Sequence, residues 1–94
     1  MKTMLDILKE RLPEGLEIIK EKGKASASQT EITFRYQGIE EKSWLSKTCA
    51  PGCAEKVCDQ TIACAMWGFG LKMQDMEMVE HWHSAYLQTI TKND

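Results

Sequence analysis

Thr30-Glu-Ile-Thr-Phe-Arg-Tyr-Gln37, closed by Gly38 and answered by Ile39-Glu-Glu-Lys-Ser-Trp-Leu-Ser-Lys47, is the stretch whose reading decides the fold. In its first half Ile32, Phe34 and Tyr36 alternate with Thr33 and Arg35. A period of two places the apolar set on one face of a pleated strand, and β-branched and aromatic residues suit that surface. Gln37-Gly38 predicts a tight turn, with the glycine supplying positive φ. In the second half Ile39, Glu41, Ser43 and Leu45 share one face, and Glu40, Lys42 and Trp44 share the other. Such alternation predicts an antiparallel sheet covered on one side only.

Upstream, Leu16–Lys22 reads as a strand, with Leu16, Ile18 and Lys20 on one face and Glu17, Ile19 and Glu21 on the other. Charge on both faces suits an edge position. The small polar run Gly23–Gln29 between them is a loop. Before that strand, Met4, Leu5, Leu8 and Leu12 recur at helical spacing, with Thr3 as N-cap and Asp6 three residues on. Pro13 and Gly15 end this first helix.

Downstream, Pro51-Gly52 precedes a helix over residues 53–67, in which Cys53, Ala54, Val57, Cys58, Ile62, Cys64 and Ala65 fill one half of the wheel. Gly68 and Gly70 are expected to break it around Phe69. A last helix over residues 73–90 carries an apolar arc of Met76, Val79, Trp82, His83, Tyr86, Leu87 and Ile90. The order α-β-β-β-α-α predicts one α+β domain over residues 1–94, a three-stranded antiparallel sheet with helices on one face.

Composition fits a globular chain: 43 % of the 94 residues are apolar and 28 % charged. Residues 1–48 carry +1 and residues 49–94 carry −3, so neither half has the basic excess that phosphate-backbone binding requires. No apolar run approaches the ~20 residues that span a bilayer, and the charged start has no signal-peptide core, so no membrane association and a cytosolic setting with reduced thiols are expected.

Four cysteines lie within residues 49–64, spaced C-x3-C-x4-C-x5-C. On one helix Cys53 and Cys64 are ~16 Å apart along the axis, and Cys58 is about 140° round from Cys53, so these three cannot share a tetrahedral zinc. Cys58 and Cys64 are therefore expected to pack as small apolar residues. Cys49 and Cys53, which Pro51-Gly52 could turn together, remain the pair for a thiol-redox or zinc-binding role, Cys53 lying near a helix N-terminus. His81 is the candidate third ligand. His81 and His83 diverge by about 200° on a helix and do not chelate together. None of the familiar nucleophile, phosphate-loop or metalloprotease motifs occurs, and no cofactor is expected.

In its order α-β-β-β-α, with Pro13 after the first helix and an alanine-bearing second helix, the chain over residues 3 to 67 resembles the double-stranded RNA-binding domain. The resemblance is one of element order. It implies duplex RNA as partner, gripped by lysines that open the second helix. Here that stretch reads Cys49-Ala-Pro-Gly-Cys-Ala-Glu-Lys-Val57, in which only Lys56 is basic, with Lys47 before it and Glu55 and Asp59 opposing. The cations left for nucleic acid are Lys20, Lys22, Lys24, Arg35, Lys42 and Lys47.

An apolar excess near the C-terminus gives the leading expectation. Trp67, Phe69, Leu71, Met73, Met76, Met78 and Trp82 exceed what the covered sheet face needs, and Met and Trp together favour adaptable contact surfaces. The sequence therefore predicts a small non-enzymatic interaction module, binding another protein or itself as a homodimer through residues 73–90, with Trp67, Phe69, Met76, Trp82 and Tyr86 as the interaction surface.

Overall fold

The computed structural model describes residues 3–21, 23–47 and 52–90. The elements follow the order α1 (Met4–Glu10), β1 (Leu16–Lys20), β2 (Gln29–Tyr36), β3 (Ile39–Ser46), α2 (Ala54–Met73) and α3 (Met76–Ile90). The fold is α+β, with an antiparallel sheet in the order β1-β2-β3.

The β2–β3 hairpin follows from the sequence as expected. Tyr36 pairs with Ile39, Phe34 with Glu41, Ile32 with Ser43 and Thr30 with Leu45. The turn holds Gln37 at φ 50° and Gly38 at φ 83°, so both central residues are left-handed, which matches the twist of the flanking strands. Ile32, Phe34 and Leu45 point into the core.

β1 is the edge strand, and it departs from the simple alternation. Its register shifts between Ile18, opposite Phe34, and Lys20, opposite Thr33. The extra residue, Ile19, is 39 % exposed, and Lys20 turns to the open face of the sheet instead of staying with Leu16 and Ile18. On that open face Arg35 donates to Glu17 at 2.8 Å. Thr33 is buried there between Lys20 and Lys42, whose long aliphatic stems suit such cover.

α1 begins with the expected capping box: the Asp6 N–H donates to Thr3 Oγ1 and the Thr3 N–H donates to Asp6 Oδ2, both at 3.1 Å. These bonds, the backbone one first, hold the Asp6 carboxyl below its ordinary range. Leu8 is wholly buried, and Arg11 ties the end of α1 to α2 by a two-pronged bond to Asp59, at 2.6 and 2.8 Å.

The second helix does not stop at residue 67. It runs unbroken through Gly68 and Gly70 to Met73. Each glycine costs a helix interior roughly 1 kcal/mol relative to alanine, and tertiary packing outweighs that. Phe69 between them is wholly buried, 5.8 Å from the Tyr36 ring. At Gly70 a Cβ would come within 3.0 Å of Val79 Cγ2 and 3.1 Å of the Val79 nitrogen, so the missing side chain lets α3 approach. The actual stop is Gln74, left-handed at φ 57°, with the Asp75 N–H bonded to the Gly70 carbonyl at 2.9 Å. Asp75 then caps α3, its Oδ1 accepting from the Met78 N–H at 3.2 Å. The core joins Leu8, Leu16, Ile32, Phe34, Leu45, Cys58, Ile62, Met66 and Phe69 between the sheet and the α1–α2 layer.

Candidate interaction surface

α2 and α3 form an antiparallel helical hairpin, and its outer side is where the apolar excess lies. α2 uses one face on the core, through Cys58, Ile62, Ala65 and Phe69. A second face, with Gly70 against Val79 and Ala63 in the same cleft as Trp82, lies toward α3. What remains on its outer side is Cys64, Trp67 and Leu71. α3 is different in kind: none of its residues is buried. Its inner side, with Met78 and Trp82, packs against the core cluster. Its arc is wider than that contact, and it leaves Met76, His83, Leu87 and Ile90 outside.

Among the described residues, four of the six exposed large apolar side chains belong to this hairpin: Leu71 at 53 %, Met76 at 55 %, Leu87 at 42 % and Ile90 at 46 %. An amphipathic helix is held to its protein by the face it buries. α3 therefore presents more apolar arc than its own domain covers. Aromatic rings bind the two stripes into one surface. The Trp67 indole lies against His83, with centroids 4.6 Å apart, and 6.1 Å from the Tyr86 ring. At the rim, Trp44, Val57, Thr61, Cys64 and Tyr86 line a groove of about 410 Å³ beside β3.

The sequence-expected surface residues divide. Met76 is exposed, and Trp67 and Tyr86 are half-buried in the outer stripe. Phe69 is not a surface residue, because the uninterrupted helix carries it round to the core. Trp82 faces inward against the core cluster and lines a polar cleft with Arg11 and Asp59. That cleft is of about 570 Å³, but its Arg11 and Asp59 charges already neutralise each other. Leu71, His83, Leu87 and Ile90 complete the stripe. A helical wheel of α3 places the last three in its apolar arc, but only the packing on α2 shows which part of the arc stays outside.

The cysteines also divide. Cys58 is wholly buried, with Sγ 3.5 Å from the Met4 carbonyl. Cys64 is not a core residue: it stands about 120° round α2 from the buried Cys58 and is exposed, with partial desolvation pushing its thiol pKa up. Cys53 occupies the N-cap of α2 and is half-buried. Cys49 lies outside the described residues, so the Cys49–Cys53 pairing is not described. His81 is exposed and meets the Trp82 ring edge-on at 5.0 Å. Among the described residues no group of three or more His, Cys, Asp or Glu side chains could hold a metal ion, and no helix is long and apolar enough to cross a membrane.

Of the cations considered for nucleic acid, Lys20, Arg35 and Lys42 share the open sheet face with Glu17 and Glu40, and Arg35 is already paired with Glu17. Lys22 lies outside the described residues. Compared with family models, curated proteins and solved structures, the chain matches none.

Proposed function

We propose that this chain is a non-enzymatic interaction module, working in a cytosolic setting, whose contact surface is the outer apolar side of the α2–α3 hairpin. The observation that carries the reading is α3 itself, an amphipathic helix with no buried residue and three of its large apolar side chains exposed. The outer side of this hairpin gathers large exposed apolar side chains on two packed helices, and large exposed apolar patches mark contact sites. Its composition also fits. Trp, Tyr, Met and Leu dominate, and the carboxylates of Glu77 and Glu80 sit at one margin.

A photo-crosslinking residue placed at Leu71, on the proposed surface, and separately at Glu40, on the open sheet face, tests the reading in cells. Crosslinked protein adducts are expected from position 71 and not from position 40. Equal yields at both positions, or none at 71, would remove the hairpin as the working surface.

A further inference from the structure

β3 lies at an edge of the sheet, and its hydrogen-bonding phase can be read from its two ends. Tyr36 and Ile39 pair across a two-residue turn, and the Lys47 N–H donates to the Ser28 carbonyl at 2.9 Å. In an antiparallel pair every second residue bonds to the partner strand, so Ile39, Glu41, Ser43, Leu45 and Lys47 turn their backbone groups to β2. Glu40, Lys42, Trp44 and Ser46 turn theirs outward. Among the described residues no hydrogen bond reaches the outward N–H and C=O groups of Trp44 and Ser46.

The two edges of the sheet differ. β1 is five residues long and its register slips at Ile19, a bulge that spoils an edge for further pairing. β3 is eight residues long and pairs without a slip. Its turn end is guarded by Glu40, Glu41 and Lys42, whereas Ser43-Trp44-Leu45-Ser46 carries no charge. The groove of about 410 Å³ runs along this uncharged half. Ser43, Trp44 and Ser46 line it from β3, and Val57, Thr61 and Cys64 line it from α2. Ser43 and Trp44 belong to opposite faces of the sheet, so the groove follows the strand edge itself. Trp44 is 44 % exposed there, and among the described residues no charged side chain lines the groove.

We infer that this groove takes an extended peptide segment of another protein, which adds to β3 as a further strand. Outward N–H and C=O groups recurring every second residue, about 6.8 Å apart, match the repeat of an extended backbone. Alternate side chains of the segment fall toward α2, against Val57, Thr61 and Cys64, where uncharged β-branched or aromatic residues fit. A carboxylate or ammonium would lose its water there with no opposite charge to meet it. A cavity of this size takes a few residues of chain and not a helix. A twofold β3–β3 pairing would set the α2 helices of both copies on the same side of one seam, so a lone segment fits better than a second copy. The site is additional to the hairpin surface, which it borders at Cys64, and neither reading depends on the other.

Random eight-residue peptides, the length of β3, displayed on phage and selected on the full chain, supply the probe. The best binder is synthesised and titrated into isotope-labelled protein. Binding is expected to slow hydrogen exchange at the Trp44 and Ser46 amides and to leave Ser43 and Leu45, already bonded to β2, unchanged. Methylating alternate backbone nitrogens of the peptide gives two series and leaves the protein unaltered. The series whose methyl groups face β3 is expected to bind at least roughly tenfold more weakly, because it loses backbone bonds, and the other within about twofold of the parent. Two series that bind alike, shift changes confined to Leu71 and Leu87, or no peptide that binds tighter than about 1 mM would overturn the inference. Protection of Trp44 and Ser46 that rises with protein concentration alone would assign the edge to a second copy and overturn it as well.

Discussion

Trp67 on α2 and His83 on α3 lie ring against ring, 4.6 Å between centroids and tilted by 34°. This contact sits on the outer side of the hairpin, away from the core, and it joins the two exposed stripes. The pair thus belongs both to the fold and to the candidate surface. A double-mutant cycle with Trp67→Ala and His83→Ala separates the two roles. A coupling of about 0.5 kcal/mol or more in thermal unfolding is expected for such a ring pair, with the fold retained in all variants. Strict additivity would show that the rings merely lie side by side.

The two glycines inside α2 should respond oppositely to alanine. Around Gly68 a Cβ meets nothing within 4 Å, so Gly68→Ala gains helix propensity and stabilises by about 0.5–1 kcal/mol. At Gly70 the same methyl meets the Val79 backbone nitrogen at 3.1 Å, so α3 must shift outward. Overpacking costs typically about 1–3 kcal/mol and outweighs the propensity gain. Denaturant unfolding of both variants checks this, and a Gly70→Ala protein as stable as Gly68→Ala would mean that α3 does not press on Gly70.

The Thr3–Asp6 capping box makes the start of α1 sensitive to acid. Asp6 has its carboxyl pKa lowered in the folded state, chiefly by the Thr3 backbone N–H. Its contribution is therefore complete above the unfolded aspartate value of about 3.9 and is lost as pH falls through the lower folded value. The stability difference between wild type and Asp6→Asn should be constant from neutral pH down to about 5 and shrink below about 4. A difference that grew on acidification would reverse the assigned sign.

Thiol labelling should rank Cys64 and Cys58 by position. Cys64 is exposed, so an alkylating reagent reaches it in the native state, but its raised pKa keeps it protonated at neutral pH. Its rate should rise with pH to a midpoint above the ordinary thiol value of about 8.5. Cys58, wholly buried, should react only on unfolding. Peptide mapping after timed alkylation reads both, and fast labelling of Cys64 at pH 6 would contradict the desolvated setting.

Much of the fold was legible because its signals are local. Ile32, Phe34 and Tyr36 alternate over a run short enough that neighbouring residues alone set the period. Gln37-Gly38 offers the positive φ that a tight hairpin needs. Thr3 and Asp6 cap each other within one turn. The amphipathic arc of residues 73–90 likewise needs no neighbour to be seen, and α3 occupies Met76–Ile90 of it.

What escaped the sequence depends on residues far apart in the chain. Gly68 and Gly70 are helix breakers by propensity, and only the packing of Phe69 on Tyr36 and of Val79 on Gly70 keeps α2 running to Met73. That continuity places the residues after it: Phe69 goes inward and Leu71 goes outward. Cys58 and Cys64 fall in one half of the wheel but about 120° apart, and the sheet covers the side of Cys58 and not that of Cys64. The extra residue at Ile19 arises from pairing with β2, which no single strand encodes. By itself, then, the sequence determined the elements, their order and the hairpin turn, since each is set by dihedral preference and periodicity within a few residues. The tertiary structure alone decided which apolar side chains are left without cover, because burial is a property of what a distant segment brings against them.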